Sequence, residues 1–353
     1  MEKIPDCILK AFSCTDKATI AVLGNGLINS TFKVSDSRRT IVLQKVNSSV
    51  FPSPLLVIDN YCAIFNFLQL QKLQKIPAPI LGEKKTHFAQ DEQSDYWRAF
   101  EFINFSTTKE IIEKEEQAFS AAYSFGNFVK SLSNFPLSTI KDTIPKFHDL
   151  SLRFTEFEKS IINAPLSRIE NATYLIHELK KRNNLVTLFE SFATNKGYKK
   201  RLMHHDAKLS NLLFDTTSGK VLTPIDLDTT QAGYYFSDLG DMIRTMTCTE
   251  TENSIQFNSI NLNSNFYNAL VVGYFDAMQD ELTEVEKSAI HFSGLLIIYM
   301  QALRFLADYL NGDIYYKTTY SNQNFDRAKN QFFLLKKLED YLFTTNKIKD
   351  YLR

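Results

Sequence analysis

The chain has 353 residues and a mass of 40.7 kDa, room for two compact parts with separate cores. Lys+Arg and Asp+Glu both total 40, so the formal net charge is zero; that speaks against nucleic acid as the main partner, because phosphate-backbone binding wants a net basic face. Hydrophobic content of 44% and aromatic content of 13% exclude a disordered chain, and 11 Gly and 9 Pro exclude fibrous and low-complexity classes.

The opening text, M-E-K-I-P-D-C, has no basic start followed by an apolar stretch, so no secretory signal is expected. Residues 20–23 are apolar and strand-like, and G-N-G at Gly24, Asn25 and Gly26 breaks them. Phe32 and Val34 share one face of a second strand, and 41–43 begin a third after the polar turn at 35–39. Ser53-Pro54 suits the first turn of a helix, and apolar positions repeat with helical spacing up to Leu70. The segment 75–80, K-I-P-A-P-I, interrupts this pattern, and two short strands are expected at 87–90 and 96–102.

After Phe105 the texture becomes helical. Apolar residues recur at three and four positions over 110–132, and 154–162 and 171–192 also read as helices, the latter ending in N-K-G-Y-K-K. Residues 201–228 revert to short strands and loops, and helices resume at Ser237 and continue toward the end. The expected division is therefore a small mixed part, 1–102, and a large, mostly helical part, 103–353, joined near 102–106, with a ligand cleft between them. No apolar run reaches the ~18 residues of a membrane span, so no membrane partner is expected. The four cysteines (Cys7, Cys14, Cys62, Cys248) lack metal-ligand or redox spacing and suit buried thiols in a reducing cytoplasm.

The text richest in chemistry is His204-His205-Asp206-Ala207-Lys208-Leu209-Ser210-Asn211, with Ile225-Asp226-Leu227-Asp228 following it. Leu202 and Met203 lead in as a strand; Leu212, Leu213 and Phe214 form another, and a turn at 215–219 leads to a third ending at Ile225. Phosphoryl transfer needs such a set: a carboxylate to take the hydroxyl proton, an amide and a second carboxylate for a metal, and a lysine for the transferring phosphate. Mg²⁺ prefers oxygen ligands, usually one or two carboxylates plus nucleotide phosphates, which suits Asn211 and Asp226. No G-x-x-x-x-G-K-[ST] occurs, so this is not a P-loop enzyme.

H-x-D-x-x-x-x-N followed by I-D resembles the aminoglycoside phosphotransferase and choline kinase group, and the resemblance covers nearly the whole chain. V-L-G-N-G-L-I-N-S-T-F, I-V-L-Q-K-V-N, Y-W-R-A-F-E-F-I, I-P-K-F-H-D, I-D-L-D-T and R-F-L-A-D-Y-L-N-G-D are similar to the N-acetylhexosamine 1-kinase branch. The resemblance implies an α+β, protein-kinase-like two-lobed fold, with a small N-terminal antiparallel sheet lobe and a larger, mainly helical C-terminal lobe. It implies ATP and Mg²⁺ as cofactors, Asp206 as catalytic base, Lys208 near the γ-phosphate, Asn211 and Asp226 as magnesium ligands, and His204 as a loop-holding residue. Gly24, Asn25 and Gly26 become a phosphate-covering loop. The residue after them is Leu27, where a His is expected in the sugar-kinase branch.

Protein kinases carry a Lys at the end of the third strand; here Gln44 and Lys45 stand there, on opposite faces, and Gln44 is the residue expected to face the nucleotide. By position, backbone groups near Glu101 and Ile103 hold adenine. For the acceptor, the resemblance points to Arg304, with Tyr315 or Tyr316 beside it, Asp228 orienting the sugar or binding metal through water, and the Phe147-His148-Asp149 turn on another side.

An N-acetylhexosamine phosphorylated at its anomeric hydroxyl is the first expectation. Choline, ethanolamine, an amino acid, another sugar or an aminoglycoside is the alternative. Aminoglycosides are polycations and call for many acids, whereas the acids after Asp228 are interleaved with Arg244, Arg304 and Arg327. A non-enzymatic binding module fits poorly with intact Asp206, Asn211 and Asp226, and no C/S-x-P-x-R stretch exists for a sulfatase nucleophile.

Overall fold

A computed structural model describes residues 3–24 and 28–348. In chain order the elements are α1 (Asp6–Ala11), β1 (Thr19–Val22), β2 (Ser30–Ser35), β3 (Thr40–Lys45), α2 (Pro54–Leu70), β4 (Ala89–Gln90), β5 (Tyr96–Glu101) and β6 (Ser106–Thr107). Then come α3 (Glu115–Ser131), α4 (Leu150–Asn163), α5 (Leu166–Lys180), α6 (Asn184–Thr194), β7 (Arg201–Met203), β8 (Leu212–Asp215), β9 (Val221–Pro224) and β10 (Gln231–Gly233). The chain ends with α7 (Phe236–Met246), α8 (Ser264–Met278), α9 (Glu284–Ser288), α10 (Phe292–Leu310) and α11 (Gln323–Thr344).

The chain forms two compact units. The first contains the residues up to Thr107 together with Asn134–Pro145 and Leu213–Gln231; the second contains Thr108–Ser133, Lys146–Leu212 and the residues from Ala232 onward. Two segments beyond the sequence boundary at 102–106 thus pack with the N-terminal sheet, and one of them carries Asp226 and Asp228.

The first unit is built on an antiparallel sheet of order β1-β2-β3-β5-β4. Strand alternation sorts its faces. Phe32 opposite Leu43, Val34 opposite Ile41, and Leu43 opposite Ala99 line one face, where they bury Ile4, Ile8 and Phe12 of the α1 region and Trp97. The opposite face carries the row Thr31, Gln44 and Arg98. α2 starts with Pro54 at its first turn, where no N–H is needed, and packs against β5 and the turn Leu227–Thr229. β6, β8 and β9 make a small second sheet, with Ser106 opposite Asp215 and Thr107 opposite Phe214.

The second unit is mainly helical. α3 packs along α8, and α10 lies against α4, α7 and α11, buried along almost its whole length. Gly240 in α7 permits the close crossing with α10: a Cβ there would fall 2.3 Å from the Ser293 carbonyl oxygen and 2.4 Å from Ile297. The stretch 171–192, which reads as one helix, is two, since α5 ends at Lys180 and α6 starts at Asn184. α1 had no counterpart in the sequence reading. No helix among the described residues is long and apolar enough to cross a membrane.

Candidate active site

In the second unit the catalytic-loop residues lie between β7 and β8. Asp238, at the start of α7, accepts the backbone N–H of His204 at 3.0 Å and of His205 at 2.7 Å, so a buried carboxylate fixes the loop's entry. Burial pushes the Asp238 carboxyl up to about 6, against the pull of His204 and of the two N–H donors. The His204 ring packs edge-on against Phe125, and its Nδ1 accepts the Asp206 N–H. His205 has a left-handed backbone, φ 65°.

The structure brings Asp206, Lys208 and Asn211 together. Lys208 Nζ and Asn211 Nδ2 each lie 2.9 Å from Asp206 Oδ2, and Asn211 Nδ2 also donates to the Asp206 carbonyl at 2.9 Å. Burial raises the Asp206 carboxyl, but the Lys208 charge and hydrogen bond, with His204 and Asn211, outweigh it and hold Asp206 below the usual carboxylate range. Asp206 Oδ1 accepts no hydrogen bond among the described residues. Because the Asn211 amide nitrogen is spent on Asp206, its Oδ1 is the atom left to bind a cation.

Farther along the same unit, Arg304 projects from α10 with its guanidinium 5.1 Å from the Phe147 ring, 5.6 Å from Tyr316 and 5.9 Å from Tyr315. It donates to Gln301 Oε1 at 3.2 Å and pairs with no carboxylate among the described residues. Asp308 shapes the tyrosine segment by accepting the N–H groups of Ile314, Tyr315 and Tyr316 at 3.0, 2.8 and 2.9 Å. Tyr315 is exposed; Tyr316 is half-buried and accepts Gln301 Nε2. His148 stacks on Phe147 and shares the Ser237 hydroxyl with His205, whose Nδ1 is 2.6 Å from it. Burial, then the charges of His205 and Arg304, hold His148 well below the usual imidazole range.

Sequence reasoning missed Ser237, Asp238, Asp241 and Arg244 in this unit. Arg244 Nε binds Asp241 Oδ1 at 2.9 Å, while Asp241 Oδ2 is buried without a partner. Burial raises the Asp241 carboxyl against the pull of Arg244, and Asp206 adds to the rise. The acidic pair three residues apart in D-L-G-D was the available signal.

In the first unit, Asp226 adopts a left-handed backbone, φ 60° and ψ 60°, and leads into the turn Leu227–Thr229. Asp228 is 3% exposed, and both its oxygens are taken: Oδ1 by Arg98 at 2.5 Å, Oδ2 by Asn29 at 2.7 Å. Asp228, expected to orient the sugar or bind metal through water, thus forms an internal ion pair with Arg98. Gln44 likewise spends its amide inside the sheet, accepting from Arg98 Nε and Nη2 at 2.9 and 2.6 Å and donating to Thr31 at 3.0 Å. Lys45, on the other face, pairs with Asp95 at 2.7 Å. The Glu101 N–H donates to the Ala78 carbonyl, and Ser106 donates to that of Ile103. Gly24 has φ 67°, which suits a glycine; Asn25, Gly26 and Leu27 lie outside the described residues.

Taken separately, Asn211 in the second unit offers an amide oxygen and Asp226 in the first a carboxylate, each a hard oxygen donor of the kind Mg²⁺ takes. No cluster of three or more His, Cys, Asp or Glu with metal-binding spacing exists among the described residues.

A carboxylate kept ionised beside a lysine and an amide, on a loop of a protein-kinase-like fold, defines a phosphotransferase. The profile of the phosphotransferase enzyme family matches residues 19–281, well over half of the chain, and the chain belongs to that family. Among solved structures it is similar to a microcompartment-associated aminopropanol kinase (TM-score 0.64, 14% identity, 97% of each chain covered). It is also similar to an aminoglycoside phosphotransferase from Alicyclobacillus acidocaldarius (TM-score 0.64, 13% identity, 98% of this chain and 96% of that one). A third is the choline kinase from Cryptosporidium parvum (TM-score 0.54, 14% identity, 94% and 91%). At these identities the likeness shows the fold.

Proposed function

We propose that the protein is an ATP- and Mg²⁺-dependent kinase that transfers the γ-phosphate to a sugar hydroxyl, the anomeric hydroxyl of an N-acetylhexosamine such as N-acetylglucosamine or N-acetylgalactosamine. The observation that carries the kinase reading is the state of Asp206. Its Oδ2 is paired with the Lys208 charge and hydrogen-bonded by Asn211, and its Oδ1 accepts no hydrogen bond among the described residues, so the ionised group has one oxygen for the acceptor's proton. Asn211 and Asp226 supply the oxygen ligands for Mg²⁺, which when bound draws charge off the phosphate oxygens. Lys208 adds a positive charge at the transferring group.

The sugar reading rests on Arg304. A guanidinium held against three aromatic rings, with no carboxylate partner among the described residues, offers directed donors to hydroxyl or acetamide oxygens and repels a polycation. The second reading, an amino alcohol or aminoglycoside, is favoured by Asp241, whose unpartnered Oδ2 would suit an ammonium group. The aminopropanol and choline kinases of similar fold belong with that reading. ADP release from ATP and Mg²⁺ across free sugars, choline, amino alcohols and aminoglycosides distinguishes them. Turnover confined to N-acetylhexosamines supports the first; turnover confined to amines overturns it in favour of the second.

A further inference from the structure

The row on the polar face of the first unit's sheet runs Thr31, Gln44, Arg98 across β2, β3 and β5. Arg98 is 3% exposed and sits in otherwise apolar text, Y-W-R-A-F. A buried cation is costly unless its charge is paired and hydrogen-bonded. Here Nε and Nη2 converge on Gln44 Oε1, and Nη2 also meets Asp228 Oδ1 at 2.5 Å, while Nη1 is buried without a hydrogen-bond partner. Asn29 closes the far side of Asp228, and Asn29 is itself fixed because its Oδ1 accepts the Asn47 N–H at 2.9 Å.

Asp228 is held through its backbone as well. Thr143 Oγ1 donates to the Asp228 carbonyl at 2.6 Å. Gln231, three residues on, donates through Nε2 to the Ile144 carbonyl at 3.0 Å, so the bend at 143–144 grips the turn at two points. Two residues before Asp228 stands Asp226 at φ 60°, a conformation that costs free energy for a residue with a Cβ and persists only where the surroundings over-determine it.

We propose that Arg98 is a positioning residue for Asp226. The ion pair to Asp228 clamps the turn Leu227–Thr229, and the clamp keeps Asp226 in its left-handed conformation with its carboxylate aimed for a divalent cation. Thr143 is the second jaw of the same clamp, acting on the main chain where Arg98 acts on the side chain. A lysine at position 44 would place a competing cation next to Arg98; glutamine instead offers the acceptor that orients the guanidinium. The proposal rests on the reading of Asp226 as a magnesium ligand.

The test is the Mg²⁺ dependence of ATP binding, measured by titration calorimetry on the full chain, for the unmutated protein, Arg98→Met, Arg98→Lys and Thr143→Val. Groups that orient metal ligands typically change metal affinity by ~10–100-fold when removed. Arg98→Met is therefore expected to raise the Mg²⁺ concentration for half-maximal ATP binding by about tenfold or more. Arg98→Lys recovers part of this, because the charge returns without the two-pronged contact to Gln44. Thr143→Val shifts the requirement in the same direction while leaving every charge in place. ATP affinity without metal stays level across the set. Arg98→Met with unmutated Mg²⁺ dependence overturns the proposal. If Arg98→Met does not fold, Thr143→Val decides, and an unshifted requirement there overturns it too. Absence of any Mg²⁺ effect on ATP binding in the unmutated protein would instead overturn the metal reading, and this proposal with it.

Discussion

Lys208 and Asp206 stand two positions apart on one loop with Nζ 2.9 Å from Oδ2, an ion pair in which one carboxylate oxygen is engaged and the other accepts no hydrogen bond among the described residues. Asp206→Asn keeps the shape and removes the proton acceptor. We expect kcat to fall by ~10²–10⁴-fold, the usual contribution of a general base, with ATP affinity nearly unchanged. Steady-state kinetics on the best acceptor, paired with nucleotide binding, checks this; wild-type kcat in the variant would remove Asp206 from catalysis.

The same pair sets a pH limit. Lys208 counters burial and keeps the Asp206 carboxyl below its ordinary range, so the acid limb of kcat/KM lies at low pH. A depressed carboxyl contributes stability above its unfolded pKa that is lost as pH falls through the folded one. Lys208→Met removes the opposing charge, so the limb should move to higher pH. A pH profile of the variant with an unmoved acid limb would show that the lysine does not govern the base.

Asp238 behaves in the opposite sense. Burial raises its carboxyl to about 6 from an unfolded value near 3.8. Its contribution to folding is then complete below the unfolded value and is lost as pH rises through about 6. Asp238→Asn cannot accept both loop N–H groups as a carboxylate does, so its melting temperature should be lower throughout. The gap between the two proteins should narrow as pH rises from 4 to 7, since only the unmutated chain then bears a buried charge. Thermal melts at several pH values measure that gap; a gap that widens with pH contradicts the assignment.

The loop D-x-K-x-x-N was legible because all its members lie on one short stretch, where spacing alone brings Asp206, Lys208 and Asn211 together. The β2 and β3 alternation and the Pro54 helix start were legible for the same local reason. What escaped depends on burial between distant segments. Arg98 drew no reading of its own, because its partner is 130 residues away. Asp228 read as a residue orienting the sugar or binding metal through water, because sequence carries no sign of its burial against Arg98 and Asn29. The break between α5 and α6 falls in K-R-N with no Gly or Pro to announce it, and the α5 C-cap, Lys181, keeps a helical backbone. Asp238 stabilises the loop through backbone amides, which leave no mark on sequence.

On the proposed sugar reading, Arg304 is the residue that would separate a sugar kinase from an amine-directed one. Its fork of donors is braced by Gln301 and by the rings of Phe147, Tyr315 and Tyr316, and Asp308 fixes the tyrosine segment through three backbone N–H groups. A hydrogen bond from a charged group to a neutral ligand is worth roughly 1.5–3 kcal/mol. Arg304→Ala should therefore raise the KM for N-acetylglucosamine or N-acetylgalactosamine by ~10-fold or more and leave the KM for ATP nearly unchanged. Arg304→Lys should recover little of the loss, because an ammonium neither stacks on the rings nor presents two parallel donors. Two saturation curves, one in sugar and one in ATP, decide the matter. A shift confined to the ATP curve would place Arg304 with the nucleotide. An amine substrate whose KM improves when the guanidinium is removed would point to repulsion of a cation, and the acceptor would then be an amino alcohol.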